Sequence, residues 1–98
     1  MDVLKELQPE AYKVLIDQNN IVMKDGVLST KVKELMALSL SIAIRCEPCL
    51  KVHIQRAIKA GATNPEIAEA LAVATLMCGG PAYVWSKKIV DEEIKYIK

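Results

Sequence analysis

The spacing of apolar residues constrains this chain more than any other feature, because it is helical along nearly the whole length. Apolar side chains recur every three or four positions, in segments that end at glycine or begin at proline or at a hydroxyl residue. No segment shows the alternation of apolar and polar residues, bounded by turns, that is typical of a β-strand. The sequence therefore predicts an all-α fold, a bundle of five to six helices.

The expected helices follow from start and stop signals along the chain. Pro9 suits a first helical turn, and Gly26 and Gly61 mark helix ends. Thr63 and Glu66 form a capping box, in which each side chain binds the backbone amide of the other residue, and so open a further helix. We expect helices over residues 9–23, 30–45, 46–61, 64–78 and 81–98.

Composition and charge exclude several classes of protein. Of the 98 residues, 52% are hydrophobic and 26% charged, which excludes a disordered tail and fits one domain over residues 1–98. The net charge is +1, so neither nucleic acid nor an anionic membrane is expected as a partner. The N-terminus lacks a targeting signal, and the longest uncharged segment, residues 70–86, is interrupted at Gly79-Gly80-Pro81. We therefore expect a cytoplasmic protein.

The apolar content exceeds what one small chain is expected to bury. Residues 70–86 are uncharged, and the helix over residues 30–45 is apolar nearly all round and should be central. Because large uncovered apolar surfaces mark protein interfaces, we expect a homo-oligomer with parts of the last two helices in the interface. The alternative is a compact bundle that covers all of this surface within one chain.

The segment Cys46-Glu47-Pro48-Cys49, followed by His53, contains the most reactive side chains of the sequence. The two cysteines fall at the start of a helix, where free backbone amides and the positive end of the helix dipole stabilise a thiolate. Their spacing places both sulfurs on one face, within reach of a disulfide. His53 lies one helical turn after Cys49 and can take or return its proton, so the three side chains suit thiol–disulfide exchange.

Other interpretations of these residues stay open on spacing alone. The two cysteines could be inert core residues, and His53 a packed helix histidine. A zinc site built from Cys46, Cys49 and His53 needs a fourth ligand, for which Cys78 and Glu34 are the candidates. Such a spacing is unlike the usual paired zinc knuckles, so no metal is expected. Cys78, in a run of Ala, Leu and Met, is most simply a buried small hydrophobe.

Glu34 is the only acidic residue between Asp25 and Glu47, and it lies near the start of an otherwise apolar helix. Because the burial of an isolated carboxylate is costly, Glu34 must be paired, solvated or functional. The simpler alternative is a solvated glutamate beside Lys31 and Lys33.

These residues match a known pattern. Glu34, Cys46, Cys49 and His53, separated by eleven, two and three residues, resemble the motif of the alkylhydroperoxidase AhpD-like branch of the carboxymuconolactone decarboxylase family. The resemblance covers roughly residues 20–90. Flanking sequence that is also similar to the family lies at residues 33–38, 53–63 and 66–70.

The resemblance implies a role for each of these side chains. It makes Cys49 the cysteine that attacks peroxide and passes through a sulfenic acid, and Cys46 the partner that supplies a proton and closes the disulfide. It makes His53 the base for the reactive thiol, and Glu34 the carboxylate that orients or relays through that histidine. The implied activity is a peroxidase or disulfide oxidoreductase with an antioxidant role, recycled by an external thiol reductant and without a cofactor.

The resemblance also has consequences for assembly and for alternatives. Family members are all-helical and often assemble as trimers or hexamers, in agreement with the apolar excess. The better-studied peroxidases of the family carry a histidine between the two cysteines, where this chain has Pro48. Two alternatives remain: a carboxymuconolactone decarboxylase-like enzyme, whose members lack the cysteine pair, and a non-enzymatic oligomeric module that uses the cysteines to bind thiols or metal.

Two physical arguments disagree on which cysteine attacks the peroxide. Cys46 lies nearer the helix start, where the dipole contributes roughly 0.3–1 kcal/mol, less than one pKa unit. Cys49 lies one turn from His53, and a base at hydrogen-bond distance typically accelerates a reaction by about 10²–10⁴-fold. The larger effect favours Cys49 as the attacking thiol and Cys46 as the resolving thiol.

Overall fold

Six α-helices make up the described part of the computed structural model, residues 2–95, and these residues contain no β-strand. The all-α prediction is confirmed. The prediction that the last helix runs to residue 98 is wrong at Lys95, which adopts a left-handed conformation with a φ of 51° and ends α6 after Ile94. Residues 96–98 lie outside the described residues. The helices are α1 Val3–Leu7, α2 Pro9–Met23, α3 Thr30–Ala43, α4 Glu47–Lys59, α5 Asn64–Cys78 and α6 Gly80–Ile94.

The predicted and observed boundaries agree where local signals set them. The capping box of α5 forms as expected, because Thr63 Oγ1 accepts from the Glu66 amide at 3.3 Å and the Glu66 carboxylate accepts from the Thr63 amide at 2.9 Å. Gly61, whose φ of 99° lies in the left-handed region, follows the end of α4. The short helix α1 lies outside the predicted helices, since its five residues carry too little periodicity to indicate one.

The hydrophobic core lies where α3, α4, α5 and α6 meet. Each fully buried aliphatic side chain there stabilises the fold by roughly 1.5–3 kcal/mol. This burial fixes α4 against α3, and with it the two helices that carry the candidate site residues. The largest apolar side chains with no exposed surface are Leu38, Ile42, Leu50, Ile54 and Ile67.

A tight corner joins α3 to α4. Arg45 adopts a left-handed conformation with a φ of 57°, and the Cys46 amide donates back to the Ser41 carbonyl at 3.0 Å. This is the hydrogen bond of a Schellman turn, whose left-handed position is usually occupied by glycine. Cys46 then acts as the N-cap of α4, with its sulfur accepting from the Cys49 amide at 3.3 Å. The corner is the reason that α3 is shorter than predicted.

The helix α2 is held by hydrogen bonds at its C-terminal end rather than by burial. Within the described residues, neither α1 nor α2 contains a buried side chain. The Lys33 ammonium donates to the carbonyls of Val22 and Lys24 at 2.9 and 2.8 Å, and the Thr30 hydroxyl donates to the Met23 carbonyl at 2.7 Å. These bonds satisfy carbonyl groups that the end of a helix leaves without partners.

Large apolar side chains remain uncovered within one chain, so the alternative of a bundle that buries all of its apolar surface is wrong. In the uncharged segment, Leu76 is 81% exposed and Met77 78% exposed. The helix predicted over residues 30–45 was expected to be central, and only one face of α3 is buried. Leu40, on the other face of α3, is exposed. Further exposed side chains lie on α2, at Val14, Leu15, Ile16, Ile21 and Val22. Among the described residues, no helix combines the length and the apolar character that crossing a bilayer requires.

Candidate active site

Cys46 and Cys49 are joined by a disulfide at the start of α4, with their Cα atoms 5.3 Å apart. Both side chains are half-buried. Pro48 lies between them in the first turn, where its missing amide costs no helical hydrogen bond. The predicted proximity of the two sulfurs is confirmed, and a bonded, half-buried pair does not fit the interpretation of the cysteines as inert core residues.

His53 lies one turn beyond the cysteines on α4 and is bound by Glu34 of α3. The distance between His53 Nδ1 and Glu34 Oε1 is 2.6 Å. The Glu34 side chain is 4% exposed and the His53 side chain 21% exposed. A buried carboxylate is costly unless it is hydrogen-bonded, and the imidazole supplies that bond. Glu34 is therefore paired, and the alternative of a solvated glutamate is wrong.

The lysines that flank Glu34 in sequence have other partners. Lys31 forms an ion pair with Glu66 at 2.8 Å, which ties α3 to the start of α5. Lys33 donates to the end of α2. His53 is thus the partner of the buried carboxylate.

The bond to Glu34 distinguishes the two ring nitrogens of His53. The Glu34 carboxylate accepts a hydrogen bond from Nδ1–H, so Nε2 of a neutral ring is left as the acceptor. Cys49 and His53 are four residues apart on one helix, so both side chains lie on the same face, one turn apart. The site therefore combines a disulfide-bonded cysteine pair, an imidazole on the same helix and a buried carboxylate bound to that imidazole.

The remaining cysteine, Cys78, lies at the end of α5 as an unbonded, half-buried thiol packed against the core. It is less buried than predicted. Over residues 2–95, no group of three or more His, Cys, Asp or Glu side chains is arranged to hold a metal ion. The zinc site considered as an alternative is not assembled in this structure, since Cys46 and Cys49 are bonded to each other and Glu34 binds His53.

One residue beside the dithiol was not singled out from the sequence. Arg45 immediately precedes Cys46, and its guanidinium carbon lies 5.7 Å from the centroid of the Trp85 ring on α6. The sequence gives one indication that Arg45 is unusual: it stands at the corner between two helices, where glycine is the common residue. Trp85 lies forty residues further along the chain, beyond the reach of periodicity arguments.

The family of the chain follows from its match to the model of the carboxymuconolactone decarboxylase family, which covers residues 9–92. The chain belongs to this family. Uncharacterized proteins from two microorganisms are similar to this member of the family over most of its length. The one from Methanocaldococcus jannaschii is 33% identical over 94 residues, which are 94% of this chain and 89% of that protein. The one from Cupriavidus necator is 33% identical over 85 residues, 87% of this chain and 75% of that protein.

Solved structures of carboxymuconolactone decarboxylase family proteins share the fold. The apo form of a member from Legionella pneumophila superposes with a TM-score of 0.87 at 30% identity, covering 97% of this chain and 85% of the other. A member from Thermotoga maritima, for which a part in the antioxidative response has been suggested, superposes with a TM-score of 0.76 at 33% identity. That match covers 85% of this chain and 73% of the other. The predicted family and the predicted helical fold are confirmed.

Proposed function

We propose that this protein is a thiol-dependent oxidoreductase of the AhpD type that reduces hydroperoxides, or disulfides of a partner, through Cys46 and Cys49. The observation that supports it most directly is the arrangement on α4. A bonded cysteine pair lies at the helix start, and one turn later His53 is held by the buried Glu34. The antioxidative role suggested for the Thermotoga maritima relative is in keeping with this chemistry.

In the proposed reaction, the Cys49 thiolate attacks the terminal oxygen of the hydroperoxide. The O–O bond breaks, Cys49 becomes a sulfenic acid, and the rest of the peroxide leaves as an alcohol. His53 Nε2 takes the proton of the Cys49 thiol and gives it to the departing alkoxide. The Cys46 sulfur then displaces the hydroxyl from the Cys49 sulfur, and its own proton completes a molecule of water. Two electrons and two protons from an external thiol reductant restore both thiols.

The proton transfers depend on a single imidazole. The chain contains one histidine, and Pro48 stands where the better-studied peroxidases have a second. The pair of His53 and Glu34 therefore supplies the proton relay for the attack by Cys49, while Cys46 contributes its own proton when the disulfide forms. Glu34 acts as a positioning residue, because it holds Nδ1 protonated and stabilises the imidazolium formed when Nε2 accepts a proton.

The direct test is hydroperoxide consumption by reduced protein in the presence of a dithiol reductant. We expect Cys49→Ser to lose turnover by at least about 10²-fold, because no thiolate remains beside the base. Cys78→Ser is the matched control, since it removes a thiol outside the site, and it should retain the wild-type rate. Full turnover by Cys49→Ser, or none by the wild type on hydroperoxides and disulfides alike, contradicts the proposal.

A further inference from the structure

Arg45 takes no part in the reaction proposed above, yet it occupies a backbone position that suits it poorly. Its φ of 57° lies in the left-handed region, where a side chain with a Cβ crowds the backbone and glycine does not. Schellman turns usually place glycine there. A residue held in a sparsely populated conformation beside a reactive group is a reason to look for a function of its side chain.

The Arg45 side chain is oriented but not neutralised. Its Nη1 donates to the Ile42 carbonyl at 3.4 Å, and the guanidinium faces the Trp85 ring at 5.7 Å, within the range of a cation–π contact. Over residues 2–95, no carboxylate lies within ion-pair distance of it. The acidic residues of the site have other partners, since Glu47 pairs with Lys51 at 3.2 Å and Glu34 binds His53.

We propose that Arg45, which directly precedes Cys46 in the chain, forms a carboxylate anchor together with Trp85, so that the protein prefers organic hydroperoxides that carry a carboxylate group. The proposal rests on the proposed peroxidase function. A guanidinium has five N–H donors and matches a carboxylate with two parallel hydrogen bonds, and among the residues that the structure describes one donor of Arg45 is used. The indole ring offers an apolar face to the hydrocarbon part of such a substrate.

The proposed reaction does not use the positive charge of Arg45, which is therefore available to bind an anionic group of the substrate. A hydroperoxide group is neutral at the pH of the cytoplasm, so it needs no counter-ion before the O–O bond breaks. The anionic end of the substrate keeps its charge throughout. The hydroperoxy acid becomes the corresponding hydroxy acid, one oxygen leaves as water, and the two thiols become the disulfide.

The test compares linoleic acid hydroperoxide with its methyl ester, a pair that differs only in the charged group. Each is mixed with fully reduced protein without a reductant, at one concentration below both the critical micelle concentration of the acid and the solubility limit of the ester. The Cys46–Cys49 disulfide is then followed by alkylation and mass measurement. Omitting the reductant confines the comparison to the hydroperoxide, so a carboxylate on the thiol donor cannot contribute. We expect the acid to react about three- to fivefold faster than the ester, the size of an exposed charge pair of up to about 1 kcal/mol.

Variants connect this preference to the guanidinium. Arg45→Gln should reduce the acid-to-ester ratio to about one while leaving the ester rate unchanged, and Arg45→Lys should retain part of the preference. Lys59→Gln, which removes the same charge from the far end of α4, is the control and should keep the wild-type ratio.

The outcomes separate this inference from the proposed function. Equal rates for acid and ester in the wild type, or an equal loss for both substrates in Arg45→Gln, overturn the anchor alone. The second of these results would assign Arg45 to stabilising the thiolates instead. Failure of both hydroperoxides to oxidise the wild-type dithiol overturns the peroxidase function, and the anchor with it.

Discussion

The corner between α3 and α4 and the helix α2 are attached to the molecule by different means. The corner lies on two helices locked together by fully buried side chains such as Ile42 and Ile54, and it adds a buried carboxylate bound to an imidazole. The helix α2 buries no side chain and is tied down by hydrogen bonds to its last carbonyls. The function proposed for the site, a base held against a thiol, needs the first kind of attachment, because burial fixes side-chain positions more firmly than exposed hydrogen bonds.

The largest difference between the site helices and α2 should appear in the free energy of unfolding when one isoleucine in each is replaced by alanine. Ile54→Ala removes a fully buried side chain of α4 and should lower the free energy of unfolding by about 2–5 kcal/mol. Ile21→Ala removes the same atoms from α2, where the side chain is 63% exposed, and should cost less than about 0.5 kcal/mol. Urea unfolding at low protein concentration measures both. A comparable loss in the two variants would show that α2 is packed in solution.

The second prediction concerns the oligomeric state, which follows from the apolar side chains left exposed in one chain. Because Leu76 and Met77 of α5 are exposed in one chain, we predict a homo-oligomer, with a trimer or hexamer implied by the family. Light scattering should give a mass several times 10.8 kDa that persists at micromolar concentration. Leu76→Asp should shift this mass toward the monomer and leave the Cys46–Cys49 pair able to form. A wild-type monomer would contradict the prediction.

A smaller effect is expected at the corner itself. Arg45→Gly relieves the left-handed strain and should raise the free energy of unfolding by about 0.5–1 kcal/mol, while it removes the carboxylate preference. Arg45→Ala, which keeps the Cβ and also loses the guanidinium, is the matched control and should not be stabilised. Denaturant midpoints compare the two, and equal stability of both variants would show that the backbone conformation carries no strain.

The smallest effect concerns carboxylates that tie the helices together on the surface. An ion pair with Lys31 and the Thr63 amide lower the pKa of Glu66 from its ordinary value of 4.5 to about 2. The pKa of Asp25, beside the end of α2, is also lowered, chiefly by the Thr30 amide. A lowered pKa favours the folded state only while the group is ionised. The contribution of Glu66 is therefore fully present above pH 4.5 and disappears as the pH falls toward 2, and that of Asp25 is likewise lost on acidification.

Unfolding measured across that pH range tests the assignment. Glu66→Gln should be less stable than the wild type at pH 6 and should lose less stability between pH 4.5 and pH 2. Asp25→Asn should likewise be less stable than the wild type at pH 6 and lose less stability on acidification. That result would show that exposed carboxylates stabilise both the end of α2 and the contact between α3 and α5. An unchanged slope in Glu66→Gln would mean that its ion pair contributes nothing to folding.

Local signals account for the parts of the fold that the sequence predicted. The capping box of Thr63 and Glu66 and the reach between Cys46 and Cys49 depend on residues three apart, so spacing was sufficient. The contact of Glu34 with His53 spans nineteen residues and two helices, and only the family resemblance connected the two side chains. Exposure of the apolar residues of α2 could not be predicted in detail, because periodicity identifies a helical face but not what covers it.

The central claim is that Cys49 attacks the peroxide with His53 as its base, and trapping the sulfenic acid with dimedone tests it most directly. After peroxide treatment at neutral pH, Cys46→Ser should accumulate the adduct on Cys49, because no resolving thiol remains. Adding His53→Ala to that variant should slow the adduct by about 10²-fold or more, and Cys49→Ser should be nearly inert. An adduct that forms readily on Cys46 in Cys49→Ser would contradict the account and leave His53 with a structural role.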